Sequence, residues 1–156
     1  MNEDYVSHKI AKQLRDLGFD WTCRAFYKTW DGWDGKTYLL ETNRGQAFDS
    51  CSNSTLKKYN SKEEDNVAAP TLQMAMKWIR EEHGIQISIG MCWEQVEDGE
   101  GNVIEEWPYY DYILDDTKTG HSIEGARCAD EYSKYEVAAN FAIKYVIEKY
   151  LKIKKE

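Results

Sequence analysis

Ala69-Pro70-Thr71-Leu72-Gln73-Met74-Ala75-Met76-Lys77-Trp78-Ile79-Arg80-Glu81-Glu82-His83-Gly84-Ile85-Gln86-Ile87-Ser88-Ile89-Gly90-Met91-Cys92-Trp93 lies mid-chain and holds a helix start, a helix stop and a strand in succession. Pro70 keeps the preceding residue extended, and the Thr71 hydroxyl suits an N-cap that accepts from a first-turn N–H. Leu72, Ala75, Met76 and Ile79 recur at helical spacing, and Gly84 supplies the left-handed residue that closes a helix at about His83. Beyond it the period becomes two. Ile85, Ile87, Ile89, Met91 and Trp93 alternate with Gln86, Ser88, Gly90 and Cys92, which predicts a strand with one buried face.

Working outward toward the N-terminus, Val6, Ile10, Leu14 and Leu17 form one stripe ended by Gly18, so residues 3–17 read as a helix. Residues 24–29 and 36–42 read as two strands joined by Trp30-Asp31-Gly32-Trp33-Asp34-Gly35, whose Asp-Gly pairs supply turn geometry. Residues 43–67 are polar, with Phe48 and Leu56 as the bulky anchors, and read as a long, partly mobile loop.

Toward the C-terminus, Asp98-Gly99-Glu100-Gly101 is a turn, and a returning strand runs through Trp107, Tyr109, Tyr110, Tyr112 and Ile113 to Leu114. Pro108 predicts a sheet edge or a bulge near that strand's start. Residues 115–120 read as a turn and 122–130 as irregular. Ser133 then caps a helix over about 134–153. Its polar positions Glu136, Asn140, Lys144, Glu148 and Lys152 make one narrow stripe, so the rest of its circumference must be covered by sheet and helix or by a second copy of the chain.

The element order is α-β-β-α-β-β-α. It predicts an α+β fold: antiparallel hairpins form one four-stranded sheet or two small sheets, with helices on one face and a long C-terminal helix. Residues 3–42 and 71–114 match in element order and in Asp-Gly turn chemistry, which fits either an internal duplication or a recurring common unit. With 156 residues, a single domain spanning 1–156 is expected.

The net charge of −8 is unevenly placed. Residues 94–131 hold twelve acids (Glu94, Glu97, Asp98, Glu100, Glu105, Glu106, Asp111, Asp115, Asp116, Glu124, Asp130 and Glu131) against Lys118 and Arg127. Such a field repels phosphate backbones and anionic membranes, so neither nucleic acid nor membrane is an expected partner, and a basic host protein is. Glu97, Asp98, Glu100, Glu105 and Glu106 are the candidate binding residues, either as a solvated face or as a surface for that partner. Trp30 and Trp33 are a second candidate, as partner anchors or as caps on a core.

No apolar run reaches the roughly 20 residues of a membrane span, and the start Met-Asn-Glu-Asp lacks a signal-peptide pattern, so a cytoplasmic location is expected. Cys23, Cys51, Cys92 and Cys128 are widely spaced and read as reduced thiols. His83, Cys92, His121 and Cys128 have no recognised ligand spacing, so no metal or other cofactor is expected. Asp111, Asp116 and Lys118 imitate a metal-dependent nuclease signature, but the two acids stand too close in sequence to reach neighbouring strands at one end of a sheet. No nucleophile elbow, phosphate loop or dinucleotide fingerprint is present, and no catalytic residue is assigned.

Ala69-Pro70-Thr71, Trp78-Ile79-Arg80-Glu81 with His83-Gly84-Ile85, the tyrosine-rich second hairpin, and Tyr135-Glu136-Val137-Ala138 with Ala142-Ile143 together resemble small uncharacterised α+β proteins of bacterial prophage and mobile-element regions. The resemblance covers most of the chain beyond Val67 and implies a small accessory protein, with no residue role to carry over. The resulting expectation is a binding protein that uses its acidic surface; the alternatives are an enzyme with a site in a groove between the hairpins and a structural phage component.

Overall fold

The structure, a computed structural model, describes residues 4–42, 50–60, 64–124 and 132–151. Its class is α+β, with two separate three-stranded antiparallel sheets. Two compact units result: Met1–Ala75 with Ile147–Glu156, and Met76–Val146.

In the first unit, helix α1 (His8–Asp16) starts five residues later than its apolar stripe predicts. The backbone ahead of it is committed elsewhere: the Val6 N–H donates to the Pro70 carbonyl at 3.1 Å and the Leu72 N–H to the Asp4 carbonyl at 2.9 Å. Those groups cannot also enter a helix. Ser7 becomes the cap, its hydroxyl accepting from the Ile10 N–H. At the other end Gly18 adopts φ +97°, which lets the Phe19 N–H reach the Leu14 carbonyl at 2.9 Å.

Strands β1 (Ala25–Trp30) and β2 (Thr37–Glu41) form the expected hairpin. Within the stretch read as a loop, Asn53–Lys57 forms a short helix, α2, and Glu64–Ala68 a strand, β3, that pairs with β1. Ser52 caps α2, and Leu56 and Val67 are fully buried. Asn53 stitches these pieces together, donating to the Phe19 carbonyl at 2.7 Å and accepting from the Ala68 N–H at 2.9 Å. Residues 43–49, Phe48 included, and 61–63 lie outside the described residues.

Helix α3 (Leu72–His83) begins and ends where the sequence predicts. The Thr71 hydroxyl accepts from the Met74 N–H at 3.2 Å, and Gly84 takes φ +71°. The Gly84 carbonyl is then held by both the N–H and the hydroxyl of Thr117.

In the second unit, strands β4 (Ile85–Glu97) and β5 (Val103–Asp116) pair along nearly their whole length. A short strand β6 (Ser122–Glu124) adds to β5, in the segment expected to be irregular. At about 3.3 Å per residue the hairpin is roughly 40 Å long. Pro108 sits opposite Trp93 without a bulge; the irregularities fall instead between Val96 and Glu97 and between Leu114 and Asp115. β6 stops well short of Pro108, so that residue's missing N–H costs no ladder bond.

The expectation of one continuously buried β4 face needs correction. Ile85 and Ile87 are buried, but Met91 is 56% and Trp93 54% exposed. The last helix, α4 (Tyr135–Val146), covers the base of the hairpin through Tyr110–Tyr135 and Tyr112–Phe141 ring contacts. With 12 residues and ~1.5 Å of rise each, it is less than half as long as the hairpin. It passes into a π-helical turn at Ile147–Leu151, while 152–156 lie outside the described residues. Among the described residues no helix is long and apolar enough to cross a membrane.

Candidate functional site

The outer part of the β4–β5 hairpin is an arm. Residues directly opposite one another in an antiparallel pair share a face, so Trp93 with Pro108 and Gln95 with Glu106 point one way, and Glu94 with Trp107 and Val96 with Glu105 the other. Both faces therefore mix carboxylates with apolar groups. Met91, Trp93, Val96, Val103 and Ile104 are all more than 40% exposed, Ile104 the most at 63%.

The five predicted acids lie together on this arm but do different work. Asp98 builds the tip: its carboxylate accepts from the N–H of Asn102 at 3.0 Å, the N–H of Glu100 at 2.8 Å and the Asn102 side-chain amide. Those donors, the Asn102 and Glu100 backbones foremost, hold its pKa below the usual carboxylate value. Glu106 accepts from the Gln95 amide at 3.1 Å. Glu97, Glu100 and Glu105 point to solvent, and among the described residues no ion pair reaches any carboxylate of the arm.

The tip of the first hairpin is built differently. Trp30 contacts Trp33 edge-on at 5.7 Å between ring centroids and Tyr38 at 5.7 Å, and the Lys28 ammonium lies 4.5 Å from the Trp30 ring centroid. Asp34 accepts from the Tyr38 hydroxyl at 2.6 Å and the Lys36 N–H at 2.9 Å, which lowers its pKa. Trp30 is thus half-covered by its neighbours, whereas Trp33 is 78% exposed.

Other sequence candidates separate in space. Asp111 is buried in mid-strand, its Oδ1 accepting from the Tyr112 N–H at 2.7 Å, while Asp116 accepts from the Lys118 N–H to form a local turn. His8 lies against Tyr27, and burial lowers its pKa. Among the described residues no three His, Cys, Asp or Glu side chains are grouped to hold a metal, and Cys128 lies outside those residues.

Two arrangements escape a linear reading. Cys23 and Cys51 are direct partners in an antiparallel bridge, with their N–H and carbonyl groups exchanging bonds at 2.6 and 2.9 Å. Both are free thiols and both are buried. Burial pushes Cys23 up to about 12, aided by Cys51, and Cys51 up to about 11. The other is a cavity of about 560 Å³ in the first unit, bounded by Arg15, Gly18, Asp20, α2 and Asn66.

No protein-family model, curated protein or solved structure matches the chain.

Proposed function

We propose that the chain is an accessory protein of a mobile genetic element that acts in the cytoplasm by binding a basic host protein through the β4–β5 arm. One observation carries this reading: the arm exposes Trp93, Val96 and Ile104 among carboxylates that have no cationic partner among the described residues. Exposed aromatic and aliphatic anchors supply binding energy, and the surrounding charge selects the partner and speeds encounter. β4 is also an edge strand, since the sheet order is β4-β5-β6, so a basic segment can add alongside it and satisfy its outward backbone groups.

The test is affinity capture from host lysate at low and high salt, with the wild-type chain and with Glu97→Gln/Glu100→Gln/Glu105→Gln. A basic partner held at low salt, released at high salt and lost with the triple variant is the expected result. Equal recovery by the variant removes the proposal. Val137 at 49% and Phe141 at 39% exposure on α4 favour a second reading, a homodimer through that helix. Its mark is a concentration-dependent dimer in light scattering that Phe141→Glu abolishes.

A further inference from the structure

Cys23 and Cys51 come from distant parts of the first unit and meet as an isolated antiparallel bridge. They exchange both backbone bonds: the Cys23 N–H donates to the Cys51 carbonyl at 2.6 Å and the Cys51 N–H to the Cys23 carbonyl at 2.9 Å. Directly opposed residues of that kind have Cα atoms about 5.5 Å apart and side chains on one face of the ladder. Disulfides span Cα separations of about 4.4–6.8 Å, so the backbone already holds a disulfide's spacing. Both residues are free thiols, and each is only 1% exposed.

Either cysteine alone reads as a small buried hydrophobe, but a register that sets one directly opposite the other adds a chemistry that neither has by itself. The Cys51 thiol donates to the Ala25 carbonyl at 3.3 Å and the Cys23 thiol to the Trp21 carbonyl at 3.4 Å, with Met74 Sδ 3.8 Å from Cys23 Sγ. These are weak thiol bonds, and rotation about each χ1 is the change that exchanges them for a sulfur–sulfur bond.

The bridge also has a way to open. It is held by those two backbone bonds, and Cys23 with Ser50 and Met74 borders a cavity of about 400 Å³. Breaking two bonds is a local event, far smaller than unfolding the unit. While the bridge is closed, burial keeps both thiols protonated and unreactive. Once it opens they regain ordinary reactivity, and reclosing brings them together again.

We propose that Cys23 and Cys51 are a reversible oxidation site, which closes into an intramolecular disulfide with a small-molecule disulfide of the glutathione class as oxidant. The Cys23 thiolate attacks one sulfur of the oxidant, forming a mixed disulfide and expelling one thiolate. The Cys51 thiolate then attacks Cys23 Sγ, forming the protein disulfide and expelling the second. The chain gives up two electrons and both thiol protons, and the oxidant is reduced to two thiols. The crosslink ties the approach to β1 to the residue ahead of Ser52, the cap of α2. It lies in the first unit and does not depend on the arm.

The test equilibrates the full chain at pH 8 in buffers of varied reduced and oxidised glutathione, quenches with acid, alkylates the remaining thiols under denaturing conditions and maps the peptides. One crosslink, Cys23–Cys51, is expected, its fraction rising with the share of oxidised glutathione and returning to zero with dithiothreitol. Cys92, in the second unit, should not enter it, so Cys92→Ser should leave the yield unchanged. Closing the loop between residues 23 and 51 should raise Tm by roughly 5–15 °C relative to the reduced chain. Thiols that stay reduced at every ratio would show a purely packing role and overturn the proposal. So would glutathione adducts on Cys23 or Cys51 in place of the crosslink, pairing of either with Cys92 or Cys128, or an oxidised chain that melts no higher than the reduced one.

Discussion

The two hairpins of this chain end in turns that both depend on an aspartate, yet one tip closes on itself and the other stays open. At the first, Asp34 ties Tyr38 to the turn, and Trp30 is wrapped by Trp33, Tyr38 and Lys28. At the second, Asp98 organises the turn through the Glu100 and Asn102 N–H groups and the Asn102 side-chain amide, and the strands leading to it carry exposed apolar and acidic groups. The difference is one of neighbours. β2 is five residues long, so its aromatic groups fall near the turn, whereas β4 and β5 extend far past the helix that covers their base. Similar turn chemistry therefore serves a self-contained cap in one place and a projecting arm in the other.

The largest expected effect separates the base of the long hairpin from its arm. Leu114 is fully buried opposite Ile87, so Leu114→Ala should cost about 2–5 kcal/mol in urea unfolding. Trp93→Ala, on the exposed arm, should stay within about 0.5 kcal/mol despite removing a far larger side chain. Comparable losses from the two variants would mean that the arm is packed and would dissolve the contrast.

Next in size is the response of the thiols. Cys92 on β4 is half-exposed, while Cys23 and Cys51 are buried with pKa values of about 12 and 11. At pH 8 roughly one in a thousand or fewer of the buried thiols is ionised, so peptide-resolved alkylation should label Cys92 well before either. The raised folded-state values also set a sign. Below the ordinary value of 9.0 that contribution to stability is fully present, and it falls as pH rises toward 11–12, because the unfolded chain releases those protons first. A melting temperature that is level between pH 9 and 11 would contradict this.

The smallest effect is one the two tips share. Hydrogen bonds depress the pKa of Asp34 and of Asp98 in the folded chain, so their contribution to turn order is present above the ordinary value of 3.8 and lost as pH falls through the lower folded values. Amide resonances of Lys36 and of Glu100 and Asn102 should titrate with midpoints below 3.8; midpoints at or above that value would break the parallel.

Local signals made α3 legible to the residue, because Thr71 and Gly84 act within their own turn of chain. The start of α1 was not, since residues 4–6 are drawn into pairing with residues 70–72, a long-range competition that no window of sequence contains. α2 and β3 sit in a polar stretch where single apolar residues, Leu56 and Val67, do the anchoring; Ser52 before Asn53 was the available cap signal. The third strands also join different partners, β3 beside the first strand of its hairpin and β6 beside the second, so the matching of the two halves stops at α-β-β. The acids of the arm were legible as charge. The exposure of Met91 and Trp93 was not, because alternation fixes a face without saying how far a helix covers it. The cavity groups, spread from Arg15 to Asn66, meet only through tertiary folding.

The most direct measurement of the central claim is titration of a lysine- and arginine-rich β-strand peptide with a central apolar residue against the chain, followed by amide chemical shifts. Binding through the arm predicts saturable shifts concentrated at 91–97 and 103–107, weakened by salt and abolished by Glu97→Gln/Glu100→Gln/Glu105→Gln, with the amides of the Trp30–Tyr38 tip unmoved. Shifts centred on the first hairpin, or binding indifferent to both salt and the triple variant, would contradict it.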